Sequence, residues 1–370
     1  MKKFILAALS LAVALPSMAQ LSSGFYRIQN VGSSRYITIT DNKIGSVDMS
    51  STEADLSNIT TWRGFDHVKS APSSILYIEP VGSQYNLSAQ GVSVYEIAGG
   101  RAYIDITGRD NNTKYILSAS AKGVTVRLYD TSKSSEEGYV LQTGSGDYMY
   151  WYIKPVDTAD NYLGLTPTVE AKDGYYGTIY ADFPFKAAST GLSFYYIDGV
   201  KEGVFQLKEI NSEYLPAKTP MVFKCSSSDA KNNMITPQVY SSTTPTDNLL
   251  GGTLFASSTR GHIVRVEYDK STMRVLGVDS DKNLIFTTAS KSYLTDNKYI
   301  PMNTCWLTIP SSLSGDFKLV SRDDFTGIRN IESDADNANA ATYTLTGVKV
   351  ESKNPKPGIY IRNGKKIVVK

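Results

Sequence analysis

The sequence predicts an all-β protein: a β-trefoil-like N-terminal domain, a β-sandwich domain and a short C-terminal β-hairpin tail. Apolar and polar residues alternate through most of the chain, as in strands with one buried face. Short clusters of Gly, Asn, Asp and Ser separate these runs at the spacing of turns. The chain also has 25 tyrosines, which suit pleated surfaces because the ring packs while the hydroxyl stays hydrated.

Residues 1–19 have the pattern of a secretory signal peptide. Lys2 and Lys3 precede an apolar run over residues 4–15, and small residues end at Ala19. We therefore expect cleavage after Ala19 and a protein that is secreted or displayed on the outer cell surface. The apolar run is shorter than the roughly 20 residues that a spanning helix needs. No later segment reaches that length, so we expect no membrane span.

The charge balance argues against a nucleic-acid partner. Without Lys2 and Lys3, 36 basic residues face 36 acidic ones, whereas a phosphate backbone selects for basic faces. Seven of the basic residues fall in residues 342–370, against the single acid Glu351. The rest of the mature chain is therefore mildly acidic.

Residues 20–166 contain a repeated hairpin unit. Segments 77–89, 103–119 and 152–165 each read as a strand, a polar turn and a strand that opens near a tyrosine. About twelve strand-like runs result, with a short helix or an irregular excursion expected over residues 51–67. This is the inventory of a β-trefoil. The opening YRIQN…SRYITI, residues 26–39, resembles ricin-type and related trefoil modules, although a sandwich remains the alternative.

Residues 167–330 predict a β-sandwich. Many short strands are interrupted by turn residues at sandwich spacing. Segments 215–223 and 300–308 echo each other around a proline, which enters a strand only at its start or edge. The overall sequence pattern of the chain, including ADFPF at residues 181–185, resembles that of secreted multi-domain proteins of anaerobic Gram-negative bacteria. That likeness carries no activity.

The C-terminal region predicts a polar linker over residues 331–341 and a β segment over residues 342–370. Strands are expected at 343–350, 355–364 and 365–370, and Asn363-Gly364 supplies a type I′ turn. Residues 342–370 resemble the end of type IX secretion sorting domains. The resemblance implies the secretion machinery as a partner. The alternative is an extra hairpin that docks on the preceding domain.

The sequence offers no catalytic constellation, so we expect no enzyme, no cofactor and no metal. Only His67 and His262 are present, which excludes a multi-histidine zinc site. Cys225 and Cys305 are the only cysteines. In an exported protein they predict one disulfide, and the alternative is two small buried hydrophobic side chains.

Aromatic residues are the candidate ligand-binding groups. A sugar ring packs on an aromatic face while nearby polar groups bind its hydroxyls; the alternative for tyrosines at strand starts is core packing. The candidates are Trp62, Trp151, Tyr36, Tyr85, Tyr115 and Tyr162. The sequence thus predicts a non-catalytic protein that binds a carbohydrate or host surface polymer. A structural or adhesive surface protein and a secreted hydrolase are the alternatives.

Overall fold

The computed structural model confirms the all-β class. It describes residues 21–39, 54–55, 59–93, 96–97, 100–101, 103–121, 124–132, 134–141, 143–157, 159–201, 204–256, 265–321, 342–344, 349–350, 357–362 and 365–369. About half of the residues are in strands, and the described part has no helix of seven or more residues. Within the same ranges, no helix is both long and apolar enough to cross a membrane. The predicted signal peptide and linker lie outside the described residues.

The first unit is built from the strands that precede residue 156. Three 3₁₀ helices accompany them, at Phe65–His67, Pro72–Ser74 and Gly146–Met149. The strands are β1 (Gly24–Asn30), β2 (Arg35–Ile39), β3 (Ala54–Asp55), β4 (Ile59–Arg63), β5 (Leu76–Val81), β6 (Gln84–Ala89), β7 (Val92–Ser93), β8 (Glu96–Ile97), β9 (Gly100–Arg101), β10 (Ile104–Arg109), β11 (Lys114–Ala121), β12 (Val124–Arg127), β13 (Tyr129–Asp130), β14 (Glu137–Leu141) and β15 (Trp151–Pro155).

Six of these strands close into a ring. The antiparallel pairs run β1–β5, β5–β6, β6–β10, β10–β11, β11–β15 and β15–β1. Alternate residues point inwards, so Ile28, Leu117 and Trp151 meet in one buried cluster. Strands β2, β4 and β14 continue outwards from β1. A closed ring with flanking hairpins is compatible with the trefoil-like prediction, and three-fold repetition stays a prediction.

The expectation of a helix or irregular segment over residues 51–67 is wrong for part of its length. Ile59–Arg63 is strand β4, paired along its whole length with β2. The β-branched residues Ile59, Thr60 and Thr61 favour a strand, and pairing with β2 overrides the helix-forming residues that precede them. Among the described residues of this range, Phe65–His67 forms a short 3₁₀ turn.

The second unit contains a large curled sheet and a small sheet. Its strands are β16 (Leu163–Gly164), β17 (Val169–Ala171), β18 (Gly174–Ile179), β19 (Phe185–Ala187), β20 (Ser193–Lys201), β21 (Val204–Glu209), β22 (Met221–Cys225), β23 (Met234–Pro237), β24 (Leu250–Thr253), β25 (Met273–Val278), β26 (Leu284–Thr287), β27 (Thr304–Thr308) and β28 (Phe317–Ser321), with a 3₁₀ turn at Ala230–Asn232. The ten-stranded sheet has the order β17-β18-β22-β20-β21-β28-β26-β25-β27-β24, and the small sheet is β16-β23-β19.

The large sheet buries both of its faces. Phe223 and Phe194 lie in a cluster that also contains Phe185 of the small sheet, which gives a sandwich-like layer. The neighbouring residue Val222 belongs to a different cluster on the concave side. The sheet curls because the β17–β18 turn meets the β25–β26 turn, where the N–H of Lys172 donates to the carbonyl of Lys282 at 3.0 Å.

The two units pack against each other. Phe255, which follows β24, lies in the core cluster of the first unit. The side-chain amide of Gln90 donates to Asn303 Oδ1 at 2.9 Å, and Asn303 donates back at 3.0 Å. These contacts join the β6–β7 turn to the second unit.

The C-terminal segment forms a four-stranded sheet in the order β30-β29-β31-β32. Its strands are β29 (Thr342–Thr344), β30 (Lys349–Val350), β31 (Gly358–Arg362) and β32 (Lys365–Val369). The single strand expected over 343–350 is instead two strands that pair with each other. Arg362 pairs with Lys365, as the two-residue turn requires.

Candidate ligand-binding sites

Four side chains form a row across the outer face of the first unit. In register, Tyr152 pairs with Gln29, Gln29 with Tyr36, and Tyr36 with Trp62. All four are partly exposed. With neighbouring strands about 4.8 Å apart, the row is roughly 14 Å long. We call these residues the aromatic row.

The aromatic row faces outwards because its neighbours in sequence face inwards. Ile28, Ile37 and Ile153 are core residues, and adjacent side chains in a strand point to opposite faces. The row therefore forms because side chains alternate between the two faces of each strand and because the register of four strands aligns the outward-facing ones.

Polar groups flank the aromatic row at both ends. The Lys154 ammonium donates to Gln29 Oε1 at 3.3 Å and lies 5.4 Å from the centre of the Tyr152 ring. At the other end, the exposed His67 ring stacks on Trp62, with centroids 5.3 Å apart and an interplanar angle of 27°. Aromatic rings and hydrogen-bonding groups thus lie side by side along this surface.

A second layer of rings supports Tyr36. The Phe65 ring meets Tyr36 edge-on at 6.2 Å and Tyr162 at 5.1 Å. Phe65 itself rests on the Arg27 guanidinium, 5.2 Å from the ring centre. The 3₁₀ turn that carries Phe65 is therefore held in place from below.

Arg27 is a buried clamp beneath this layer. Its guanidinium donates to Ser74 Oγ, Asn161 Oδ1 and the carbonyls of Tyr162 and Val68, over 2.6–3.0 Å. All of these acceptors are neutral, and burial lowers the pKa of Arg27 to about 9. The clamp ties β1 to the loops that follow β4 and β15.

A buried ion pair fixes the strands that carry Tyr36 and Trp62. Arg35 Nη1 lies 3.0 Å from Asp130 Oδ2, and both side chains are fully buried. Asp130 also accepts from Thr61 Oγ1 at 2.7 Å and from the hydroxyl of Ser33. Strands β2, β4 and β13 are thereby linked on the inner side.

The six predicted aromatic residues separate into two groups. Tyr36 and Trp62 lie in the aromatic row, with the buried Tyr162 below them. Tyr85, Tyr115 and Trp151 lie in or against the core of the strand ring. Trp151 is wholly buried and its indole N–H donates to the carbonyl of Leu128 at 3.1 Å. No face of its indole is therefore open to a ligand, because the side chain points from β15 into the core of the strand ring.

Neither cysteine forms a disulfide; both are buried free thiols. Cys305 lies within 3.0 Å of the carbonyl of Ile179, and Cys225 lies 3.3 Å from that of Ser227. Burial raises the pKa of both thiols. Of the two sequence-based alternatives, small buried hydrophobic side chains are what the structure contains.

The curled sheet of the second unit lines a half-open cavity of about 800 Å³. Its aromatic and apolar lining comes from Tyr176, Tyr195, Leu207, Leu284 and Leu319. The two touching turns, which carry Lys172 and Lys282, close one side. We call it the curled-sheet cavity. Its size lies within the range typical of small-ligand pockets.

A polar cluster lies among the lining residues of the curled-sheet cavity, and its Asp173 side chain is 61% exposed. Asp173 Oδ2 accepts from Lys224 Nζ at 2.6 Å and from the Tyr176 hydroxyl at 2.8 Å. Burial alone would raise the pKa of Asp173, but these two hydrogen bonds outweigh burial and lower it. Asp173 is therefore ionised and suited to accept hydrogen bonds rather than to donate a proton. Glu209 lies opposite Tyr195 in register.

Sequence reasoning missed several residues of both sites. Tyr152 follows Trp151, and two adjacent aromatics in a strand face opposite sides. Here Trp151 is buried and Tyr152 is partly exposed. The same pattern recurs at Tyr175-Tyr176 and Tyr195-Tyr196, where the inward members line the cavity. Gln29 and Lys154 carry no local signal.

No protein-family model matches the chain, and no curated protein matches it significantly. Function is therefore inferred from the chemistry of the sites rather than from the fold.

Proposed function

We propose that this chain is an exported, non-catalytic binding protein that uses the aromatic row to hold a carbohydrate polymer. The observation that carries the proposal is the register that aligns Tyr152, Gln29, Tyr36 and Trp62 on one outer face. Sugar rings have apolar faces that pack on aromatic rings and hydroxyl groups that need hydrogen bonds. The row supplies both kinds of group on one face.

The length and rigidity of the aromatic row favour a polymer over a single sugar. A platform of roughly 14 Å offers successive contacts to neighbouring units of one chain. The Arg27 clamp and the Arg35–Asp130 pair hold the supporting strands. Little conformational entropy is then lost on binding, which favours affinity.

Binding to a panel of polysaccharides and mucin-type glycans tests this function. For the best ligand, Trp62→Ala and Tyr36→Ala are each expected to weaken binding about tenfold or more, since a buried aromatic face contributes roughly 1.5–3 kcal/mol. Trp62→Phe keeps a ring and should weaken binding less. Tyr240→Ala removes an exposed ring elsewhere on the surface (68% exposed) and is the matched control.

Two results would refute the proposal. One is a glycan that binds the Trp62→Ala protein as well as the unchanged protein. The other is a folded protein that binds no member of the panel. Circular dichroism of each variant establishes that the fold is retained.

Export belongs to the same proposal. The N-terminal segment supports passage across the inner membrane, and residues 342–370 resemble a sorting domain. Their strands pair among themselves, as a separate small module would. Deleting residues 342–370 is expected to leave the protein in the periplasm, and unchanged surface display or secretion would contradict this part.

A further inference from the structure

The curled-sheet cavity is a second binding site, in a different unit from the aromatic row. We propose that it binds an acidic saccharide, whose sugar ring lies against the tyrosine and leucine lining and whose anionic group meets the lysines of the two touching turns. This goes beyond the proposed polymer binding, since it concerns other residues, another unit and a charged ligand.

The charge of the lining favours an anion. Five lysines line the cavity, namely Lys172, Lys208, Lys224, Lys282 and Lys318, against only the two acids Asp173 and Glu209. A cleft with an excess of one charge concentrates the field and attracts ligands of the opposite sign.

Three of the five ammonium groups have an acidic partner, and two of these ion pairs are short. Lys224 pairs with Asp173 at 2.6 Å, and Lys208 pairs at 2.8 Å with Asp198, which is not part of the lining. Compensated charges of this kind support the walls and add little attraction for a ligand.

The lysines of the two touching turns are the groups left for an anion. Lys172 Nζ donates to the neutral amide oxygen of Asn283 at 2.9 Å. Lys282 lies 3.3 Å from Glu170, with both side chains 57% exposed, and such a surface pair is weak. When Asp198 and Glu170 outside the lining are counted, four acids face the five lysines, so an excess of one positive charge remains.

The rest of the lining favours a saccharide over a small inorganic anion. Tyr195 is partly exposed and stands beside Leu207, which offers a face for a sugar ring. The side chains of Asn211 and Asn283 and the Asp173 carboxylate can bind hydroxyl groups. An inorganic ion would leave this apolar and hydroxyl-binding surface unused.

Calorimetric titration with three probes tests the inference. The probes are an oligogalacturonate, which carries carboxylates, a chondroitin sulfate tetrasaccharide, which adds sulfates, and neutral cellotetraose. We expect at least one acidic probe to bind and the neutral one to bind at least about tenfold more weakly, as loss of a charge-assisted hydrogen bond implies. The preferred acidic probe then distinguishes carboxylate from sulfate as the recognised group.

Charge variants locate the binding. Lys172→Gln with Lys282→Gln should weaken binding of the acidic probe about tenfold, whereas Glu209→Gln should strengthen it. Lys231→Gln with Lys291→Gln removes two exposed lysines outside the cavity and should change nothing. All these positions are exposed, so folding is expected to survive. Raising the salt concentration should weaken binding of the acidic probe.

The inference fails if no acidic probe binds the folded protein. It also fails if cellotetraose binds as well as the acidic probes, or if the Lys172 and Lys282 variant binds them unchanged. Trp62→Ala is expected to leave binding of the acidic probe intact. If Trp62→Ala abolished binding of the acidic probe, the anion would bind at the aromatic row. That result would overturn the cavity assignment but would still agree with ligand binding by the aromatic row.

Discussion

The buried Arg35–Asp130 pair offers a quantitative test of what holds the aromatic row. Asp130→Asn keeps the size of the side chain but removes the charge that faces a fully buried guanidinium. The amide oxygen can still accept from Thr61 Oγ1 or the Thr131 N–H, so the dominant loss is the counter-charge of Arg35. Breaking one side of a buried pair costs about 3–5 kcal/mol, and we expect the free energy of unfolding of the first unit to fall by that amount.

Urea unfolding followed by tryptophan emission measures this loss. Trp151 is a suitable reporter because its indole bonds to Leu128, two residues from Asp130 in sequence. The slope of the unfolding transition should not change, because the surface exposed on unfolding is the same. Asp66→Asn, which breaks an exposed pair with Lys69, is the control and should have no measurable effect. A loss below about 1 kcal/mol for Asp130→Asn would refute the reasoning.

Three further predictions follow from burial. Trp151→Ala should lower the free energy of unfolding by about 3–5 kcal/mol, whereas Trp62→Ala should cost far less, as chemical denaturation will measure. Burial raises the pKa of Asp182, one of whose carboxylate oxygens is buried without a partner among the described residues. The stability that this group contributes is present below its unfolded pKa of about 4, and it is lost as the pH rises through the raised pKa of the folded state. Asp182→Asn should therefore flatten the decline in melting temperature from pH 4 to pH 7, and an unchanged decline would count against the assignment. Cys225 and Cys305 should react with Ellman's reagent only after denaturation, and rapid reaction of the native protein would contradict their burial.

Local pattern was enough to predict the class of the fold. The alternation of apolar and polar residues around Ile28, Ile37 and Ile153 predicts the strands and their buried face. This pattern can be read from neighbouring residues alone. The turn at residues 362–365 likewise follows from Asn-Gly. In strand β4, the β-branched residues and the pairing with β2 both favour a strand over the expected helix.

The candidate sites depend on information that no short segment contains. The sequence named Tyr36 and Trp62 as candidates together with the buried Trp151, because the pattern alone does not show which face of each strand is buried. The aromatic row joins β15 to β1, β2 and β4, and that register is set by strands far apart in the chain. The curled-sheet cavity exists because two turns meet, which again is a tertiary event.

Fluorine NMR of protein labelled with 5-fluorotryptophan tests the central claim most directly. The chain has three tryptophans, so three resonances are expected, and that of Trp62 is assigned by its loss in Trp62→Phe. On titration with a bound glycan polymer, the Trp62 resonance should shift while that of the buried Trp151 stays in place. A glycan that binds and leaves the Trp62 resonance unmoved would show that the aromatic row is not the binding surface.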